Sequence, residues 1–169
     1  MTNETILNAA RIIKEHGIFL ETQNIIGNPI DDSFSDACDT VKLNSRIRPD
    51  YTWASLLNPY FGTDIWNYCT KNGFMNENIK FPSTYHVDSP LKLKDKKKIL
   101  RIYELFSLMV KFPILFKYRD FITKLPLRVF YTYLRKIWKS YKYLKRYNIK
   151  LLLKEYLNIG VRYLIFKGG

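Results

Sequence analysis

The sequence is poor in cysteine, with only Cys38 and Cys69 among its 169 residues. They stand 31 positions apart, and neither belongs to a CxxC pair or to a cluster of cysteines and histidines. A disulfide framework needs several paired cysteines, and a structural zinc site needs four clustered ligands, so the sequence argues against both. We expect two free thiols, buried or half-buried, as is usual in a reducing compartment.

Long apolar runs are also missing. The most apolar stretch covers residues 105–116 and contains Lys111 and Pro113, whereas a helix that crosses a bilayer needs about 20 apolar residues. The first residues, Met1–Glu4, are not a basic stretch followed by an apolar run, which a signal peptide would show. We therefore expect no transmembrane helix and a cytoplasmic location, with peripheral contact at the inner face of the membrane as the alternative.

Acidic residues are scarce in the second half of the chain. Residues 1–90 carry 7 Lys and Arg against 11 Asp and Glu, whereas residues 91–169 carry 21 against 4. Such an excess of positive charge attracts an anionic partner, either a membrane surface or nucleic acid. Aromatic residues are interleaved with the cations and fall largely on one helical face, so contact with a membrane or with another part of the protein ranks above base stacking, and a solvated basic face is the alternative.

Helical and strand patterns alternate through residues 1–75. Residues 6–13 show helical spacing, a strand ends at Gly27, and a helix capped by Asp32 or Ser33 ends before Pro49. A second strand covers residues 51–57, and a short helix follows it. Parallel strands need long return connections of this kind, so the pattern predicts an α/β fold with a parallel sheet. Two strands make an incomplete sheet, because parallel sheets are usually larger.

The rest of the chain divides into two segments. Residues 76–96 are predicted to form an irregular connector that ends in a lysine run. Residues 97–169 are predicted to form a basic, aromatic helical extension, with apolar helical faces in residues 99–109 and 127–144 and a last segment at 151–166.

Three segments stand out by their order and spacing: Glu15-His16-Gly17-Ile18, Ile25-Ile26-Gly27-Asn28-Pro29 and Asn58-Pro59-Tyr60-Phe61-Gly62-Thr63. They resemble the later part of a radical S-adenosylmethionine barrel, in the subgroup that carries a cobalamin-binding domain. That subgroup typically shows a helix ending in Gly, a strand ending in Gly-Leu-Pro-Gly-Glu-Thr and a strand ending in Pro-Tyr-Pro-Gly-Thr. Here Asn28 and Ile30 replace the usual Leu and Gly, Asp31 takes the acidic position, and Phe61 replaces the second Pro.

The resemblance implies a fold and a chemistry. Residues 1–75 would be an incomplete TIM-type parallel barrel segment of about two strands, followed by the mostly helical extension. Family members bind a four-iron cluster through a CxxxCxxC loop and reduce S-adenosylmethionine to a radical, and cobalamin is a further cofactor of the subgroup. This chain lacks that loop and so lacks the cluster ligands. We expect a carboxyl-terminal fragment or subunit that is inactive without the missing amino-terminal radical S-adenosylmethionine and cobalamin-binding portion.

Ligands of such sheets bind at the carboxyl ends of the strands. By resemblance the first loop lies near the adenosine and the second forms a wall of the cofactor pocket, while the alternative is that the glycines only make tight turns. The expected cofactor-binding residues are Gly27, Asn28, Pro29, Asp31, Pro59, Tyr60, Gly62 and Thr63. No residue is assigned a catalytic or metal-binding role.

A function of a different class fits the basic tail. In this alternative the chain is a non-enzymatic helical module that binds an anionic membrane or nucleic acid, with residues 1–75 as a small scaffold. The 21 cations of residues 91–169 favour it.

Overall fold

The structure is a computed structural model that describes residues 2–75 and 88–147. Within these residues, two strands and seven helices are found, with strands and helices alternating as far as the third helix and only helices after it. In chain order they are α1 (Asn3–Glu15), β1 (Glu21–Ile26), α2 (Ser33–Ile47), β2 (Tyr51–Leu56), α3 (Asp64–Lys71), α4 (Lys96–Lys111), α5 (Pro113–Lys117), α6 (Arg119–Ile122) and α7 (Arg128–Arg146).

The two strands pair in parallel, with Glu21 opposite Tyr51 and Ile26 opposite Leu56. α2 makes the crossover between them, as a parallel connection requires. The Asp32 side chain caps α2 by accepting from the backbone N–H of Ser35 at 2.9 Å. The predicted α/β class with two parallel strands is therefore confirmed, and so is the helical character of the extension through residue 147.

A buried polar network joins α2 to the sheet. Asn44 is 1 % exposed, and its Nδ2 donates to Asn24 Oδ1 at 2.8 Å and to the backbone oxygen of Thr40 at 2.9 Å. Its Oδ1 accepts from the Thr22 hydroxyl at 2.6 Å and from the Thr52 hydroxyl at 3.3 Å. Every polar atom of the amide is used, so the network fixes the position of α2 against both strands.

The apolar core lies between the sheet, α2 and α4. Ile26 and Leu56 from the strands meet Val41 from α2 and Ile102 and Phe106 from α4 in one cluster. Residues on both sides of the predicted 76–96 connector therefore share a core. Of that connector, residues 88–96 are described: Leu91 forms an antiparallel bridge with Met75, and the segment then leads into α4.

His16 is the residue that ends α1, and its ring Nδ1 lies 2.9 Å from the Ile12 carbonyl oxygen. Such a contact satisfies one of the carbonyls that a helix end leaves without a partner. Cys38 and Cys69 are free and buried. None of the helices within residues 2–75 and 88–147 has both the length and the apolar character needed to cross a bilayer. The helical segment predicted at 151–166 lies outside the described residues.

Asn44→Ala should lower the free energy of unfolding by about 2 to 3 kcal/mol, because it leaves several buried polar groups without partners. Urea denaturation followed by circular dichroism measures the change. Lys42→Ala is the matched control on the same helix, since Lys42 makes only an exposed ion pair with Asp39 and should cost less than about 1 kcal/mol. Equal losses in the two variants would contradict the assigned role of Asn44.

Candidate functional site

Both motif loops leave the sheet at the same edge. The parallel register ends with Ile26 opposite Leu56, and the N–H of Leu57 donates to the carbonyl of Ile26 at 3.0 Å. Residues 27–31 and 57–63 therefore start side by side at the carboxyl end of the sheet, which is where α/β folds bind ligands.

The connector crosses this edge. The Ser89 hydroxyl donates to the carbonyl of Leu57, and Asn58 Nδ2 donates to the carbonyl of Asp88 at 3.4 Å. Lys96 of α4 pairs with the Asp88 carboxylate at 3.0 Å. Residues 88–96 thus hold the second loop in place with the chain's own polar groups.

Gly27 and Gly62 both adopt a left-handed backbone conformation, with φ of 79° and 82°, which glycine adopts without strain. Their surroundings differ. A Cβ at Gly27 would lie 3.4 Å from Leu93 Cδ1 and 3.7 Å from Ile99 Cγ2, whereas a Cβ at Gly62 would meet no atom within 4 Å. The turn at Gly27 is therefore packed by this chain, and the turn at Gly62 faces open space.

The other six predicted site residues fall into three groups. Pro29 and Pro59 are buried in the turns. Asn28 donates to the Asp36 carboxylate at 2.8 Å, and Thr63 caps α3 through Trp66 N–H and donates to the carbonyl of Tyr60 at 2.6 Å. Asp31 and Tyr60 are exposed. The side chains of Asp31 and Tyr60 therefore face solvent and make no hydrogen bond within these turns.

The cysteines do not fit a four-iron cluster. Cys38 lies on α2 in the main core, and Cys69 lies on α3 in a second apolar cluster with Met75 and Leu91. Burial raises the pKa of Cys69, and burial also raises the pKa of Cys38 although Arg119 acts in the opposite direction. Cluster ligands must be thiolates on a shared loop, and two separated thiols that favour the protonated form cannot supply them.

A cavity of about 400 Å³ lies elsewhere, over the amino-terminal half of the strands and between β2, α4 and α7. Strand residues Glu21, Gln23, Tyr51 and Trp53 form one wall. Trp53 Nε1 donates to Glu21 at 3.1 Å, and burial together with nearby Glu21 raises the pKa of Tyr51 to about 12. The phenol of Tyr51 therefore stays protonated at neutral pH.

Helices α4 and α7 form the opposite wall of this cavity. Arg135 Nε bonds Glu104 at 2.7 Å, and Trp138 Nε1 donates to the Ser107 hydroxyl at 2.9 Å. Arg146 reaches across to Glu21 at 2.8 Å. None of the eight residues predicted from the motifs lines this space.

The sequence offered a partial signal for the cavity. Glu21, Gln23, Tyr51 and Trp53 are alternate residues of two strands, so a period of two places them on one face of the sheet. Helix α7 covers this face of the sheet through contacts between distant parts of the chain. The hydrogen bond from Arg146 to Glu21, for example, joins residues 125 positions apart. Helical periodicity within α7 cannot reveal such contacts.

Gly62→Leu should lower the free energy of unfolding by about 1 to 2 kcal/mol, the cost of a left-handed conformation for a residue with a Cβ. Gly27→Leu should cost at least about 1 kcal/mol more, because the added atoms enter space held by Leu93 and Ile99. Urea unfolding curves of the two variants measure the difference. An equal loss of unfolding free energy at both positions would mean that the backbone conformation of the turn accounts for the whole effect and that the packing around Gly27 contributes nothing.

No family model, curated protein or solved structure matches this chain. Any inference about its function therefore rests on the arrangement of its own residues and on the resemblance of its motifs.

Proposed function

We propose that this chain is the carboxyl-terminal portion or a subunit of a radical S-adenosylmethionine enzyme and is inactive alone. It would supply walls of the S-adenosylmethionine pocket and helices on the substrate side. The observation that carries the proposal is the pairing of β1 with β2, which brings the Gly27–Asp31 and Pro59–Thr63 loops to one sheet edge in the motif order of that family. The reacting cluster would come from the other portion, with cobalamin as a further cofactor there.

The unpaired strand edges and the exposed apolar side chains of the sheet support the proposal that a partner is missing. Within residues 2–75 and 88–147 the sheet has two strands, so each strand is paired on one side only. Large apolar side chains remain exposed on and before β1, with Ile18 at 59 % and Ile25 at 56 % exposed. Parallel sheets are normally larger and covered on both faces, so these edges favour pairing with further strands.

The isolated chain, reconstituted anaerobically with iron and sulfide, should not acquire a four-iron cluster, because it lacks three thiolates on one loop. Its partner should be a polypeptide with a CxxxCxxC segment, encoded upstream in the same frame or by a neighbouring gene. Co-purification followed by Mössbauer spectroscopy should find the cluster in the complex alone.

Matched variants locate the contact with that partner. Ile25→Lys on β1 should abolish co-purification, because it places a charge on an apolar strand surface. Ile114→Lys, at an exposed site on α5, should leave co-purification intact. A stoichiometric cluster in the isolated chain, or a source genome without a CxxxCxxC segment near the gene, would refute the proposal.

A second function, peripheral docking on an anionic membrane, is favoured by the surface of α7. This helix carries seven Lys and Arg and no acidic residue. Phe130, Tyr133, Ile137 and Tyr141 recur at helical spacing and are 38 to 54 % exposed. An apolar stripe on a cationic helix is the pattern of helices that lie in the membrane interface.

Part of the apolar face that the sequence predicts for residues 127–144 packs against the protein, and part of it is exposed. Trp138 contacts Ser107 of α4, and Leu134 packs against the main core. Phe130, Ile137 and Tyr141 remain exposed. Trp138 therefore faces the protein, and the exposed stripe is the part available to a membrane.

The full chain should sediment with phosphatidylglycerol vesicles and not with phosphatidylcholine vesicles. Replacing both Tyr133 and Ile137 by Ser should weaken the partition by at least about tenfold, because two apolar side chains no longer enter the interface. Phe61→Ser is the control, since Phe61 is 84 % exposed but lies in the loop after β2. Tight binding to single-stranded nucleic acid without vesicle binding would reverse the order of the two anionic partners.

A further inference from the structure

Four cations follow one face of α7 along the 400 Å³ cavity: Arg135, Lys139, Lys142 and Arg146. Their spacing of four, three and four residues places them in one stripe on the helix. The stripe faces the strand wall formed by Glu21, Gln23, Tyr51 and Trp53.

The two ends of this stripe are neutralised by carboxylates. Arg135 pairs with Glu104 at 2.7 Å, and Arg146 pairs with Glu21 at 2.8 Å. Glu104 is buried, with a side chain 4 % exposed, and Glu21 also accepts from Trp53 Nε1. Both carboxylates that line the cavity are therefore held by arginines.

The two central cations have no carboxylate partner among the described residues. Burial lowers the pKa of Lys142, and Lys111 and Lys145 lower it further, while Asp50 acts weakly in the opposite direction. The Asp50 carboxylate accepts from the backbone N–H of Leu20 at 2.9 Å. Lys139 and Lys142 thus give the cavity wall an excess of positive charge that an anion would offset.

Aromatic residues line the cavity together with these two lysines. Tyr51 and Trp53 come from β2, and Trp138, Tyr143 and Tyr147 come from the end of the chain that the structure describes. Lys142 Nζ lies 5.6 Å from the centre of the Trp138 ring. The volume of about 400 Å³ falls within the range of about 300 to 1,000 Å³ of sites that hold small organic ligands.

We infer that this cavity binds an aromatic organic anion, whose phosphate or carboxylate pairs with Lys139 and Lys142 and whose ring lies against Trp53 and Trp138. Arg146 joins the helix wall to the strand wall through its ion pair with Glu21, and Arg135 fixes α7 on α4 through its ion pair with Glu104. The site consists of this chain's residues and stands whether or not the chain completes a radical S-adenosylmethionine barrel.

Titration calorimetry on the full chain tests the site with four probes. One aromatic anion, 1-naphthyl phosphate or 1-naphthoate, should bind saturably with one molecule per chain, and the tighter of the two identifies the anionic group. The uncharged 1-naphthol and inorganic phosphate should each bind at least about tenfold more weakly, because each lacks one half of the recognised chemistry. No saturable binding of either aromatic anion would overturn the inference.

Variants separate a built site from general charge attraction. Lys139→Gln and Lys142→Gln should each weaken binding by about tenfold, as expected for a lost charge-assisted contact. The melting temperature of Lys142→Gln should not fall, because the change removes a desolvated charge that lies among other cations. Lys124→Gln removes an exposed charge outside the cavity lining and should alter affinity by less than about twofold. An equal loss in Lys124→Gln would overturn the site.

Discussion

The burial of α4 against the sheet, α2 and α7 is the constraint on which the rest of the structure depends. Two strands alone bury too little surface to be stable. Ile102, Phe106 and Met109 of α4 are at most 1 % exposed, and each such side chain contributes about 1.5 to 3 kcal/mol when fully buried. Because α4 comes from beyond the connector, the parallel sheet in residues 21–56 depends on a helix about 40 residues further along the chain.

The position of α4 then determines which face of α7 packs against the protein and which face is exposed. Glu104 and Ser107 of α4 fix α7 through Arg135 and Trp138. This docking turns one cationic stripe of α7 toward the strands and leaves the stripe of Phe130 and Ile137 exposed. One amphipathic helix thereby forms a wall of the cavity and also leaves an apolar stripe exposed on its outer surface.

The motif loops and the cavity occupy different parts of the sheet. Gly27 and Gly62 lie beyond the carboxyl ends of the strands, whereas Glu21 and Tyr51 begin them. In the proposed enzyme the loops would serve a cofactor held largely by another polypeptide. The cavity is lined by residues of this chain, so the proposed ligand site and the proposed assembly into an enzyme can be tested separately.

Local sequence determined the elements of this protein, and tertiary structure determined its surfaces. Asp32 before α2, Gly27 after β1 and the apolar spacing within α4 each act within a few residues, so patterning predicts the helices and the parallel strands. The sequence could also place the motif loops at one edge, because parallel strands share a direction. It could not show that Leu93 fills the space at Gly27, or that Arg146 meets Glu21, since these contacts join segments 66 and 125 residues apart. Contacts of that kind depend on how α4 and α7 pack in three dimensions, and the periodicity of a local stretch of sequence carries no information about that packing.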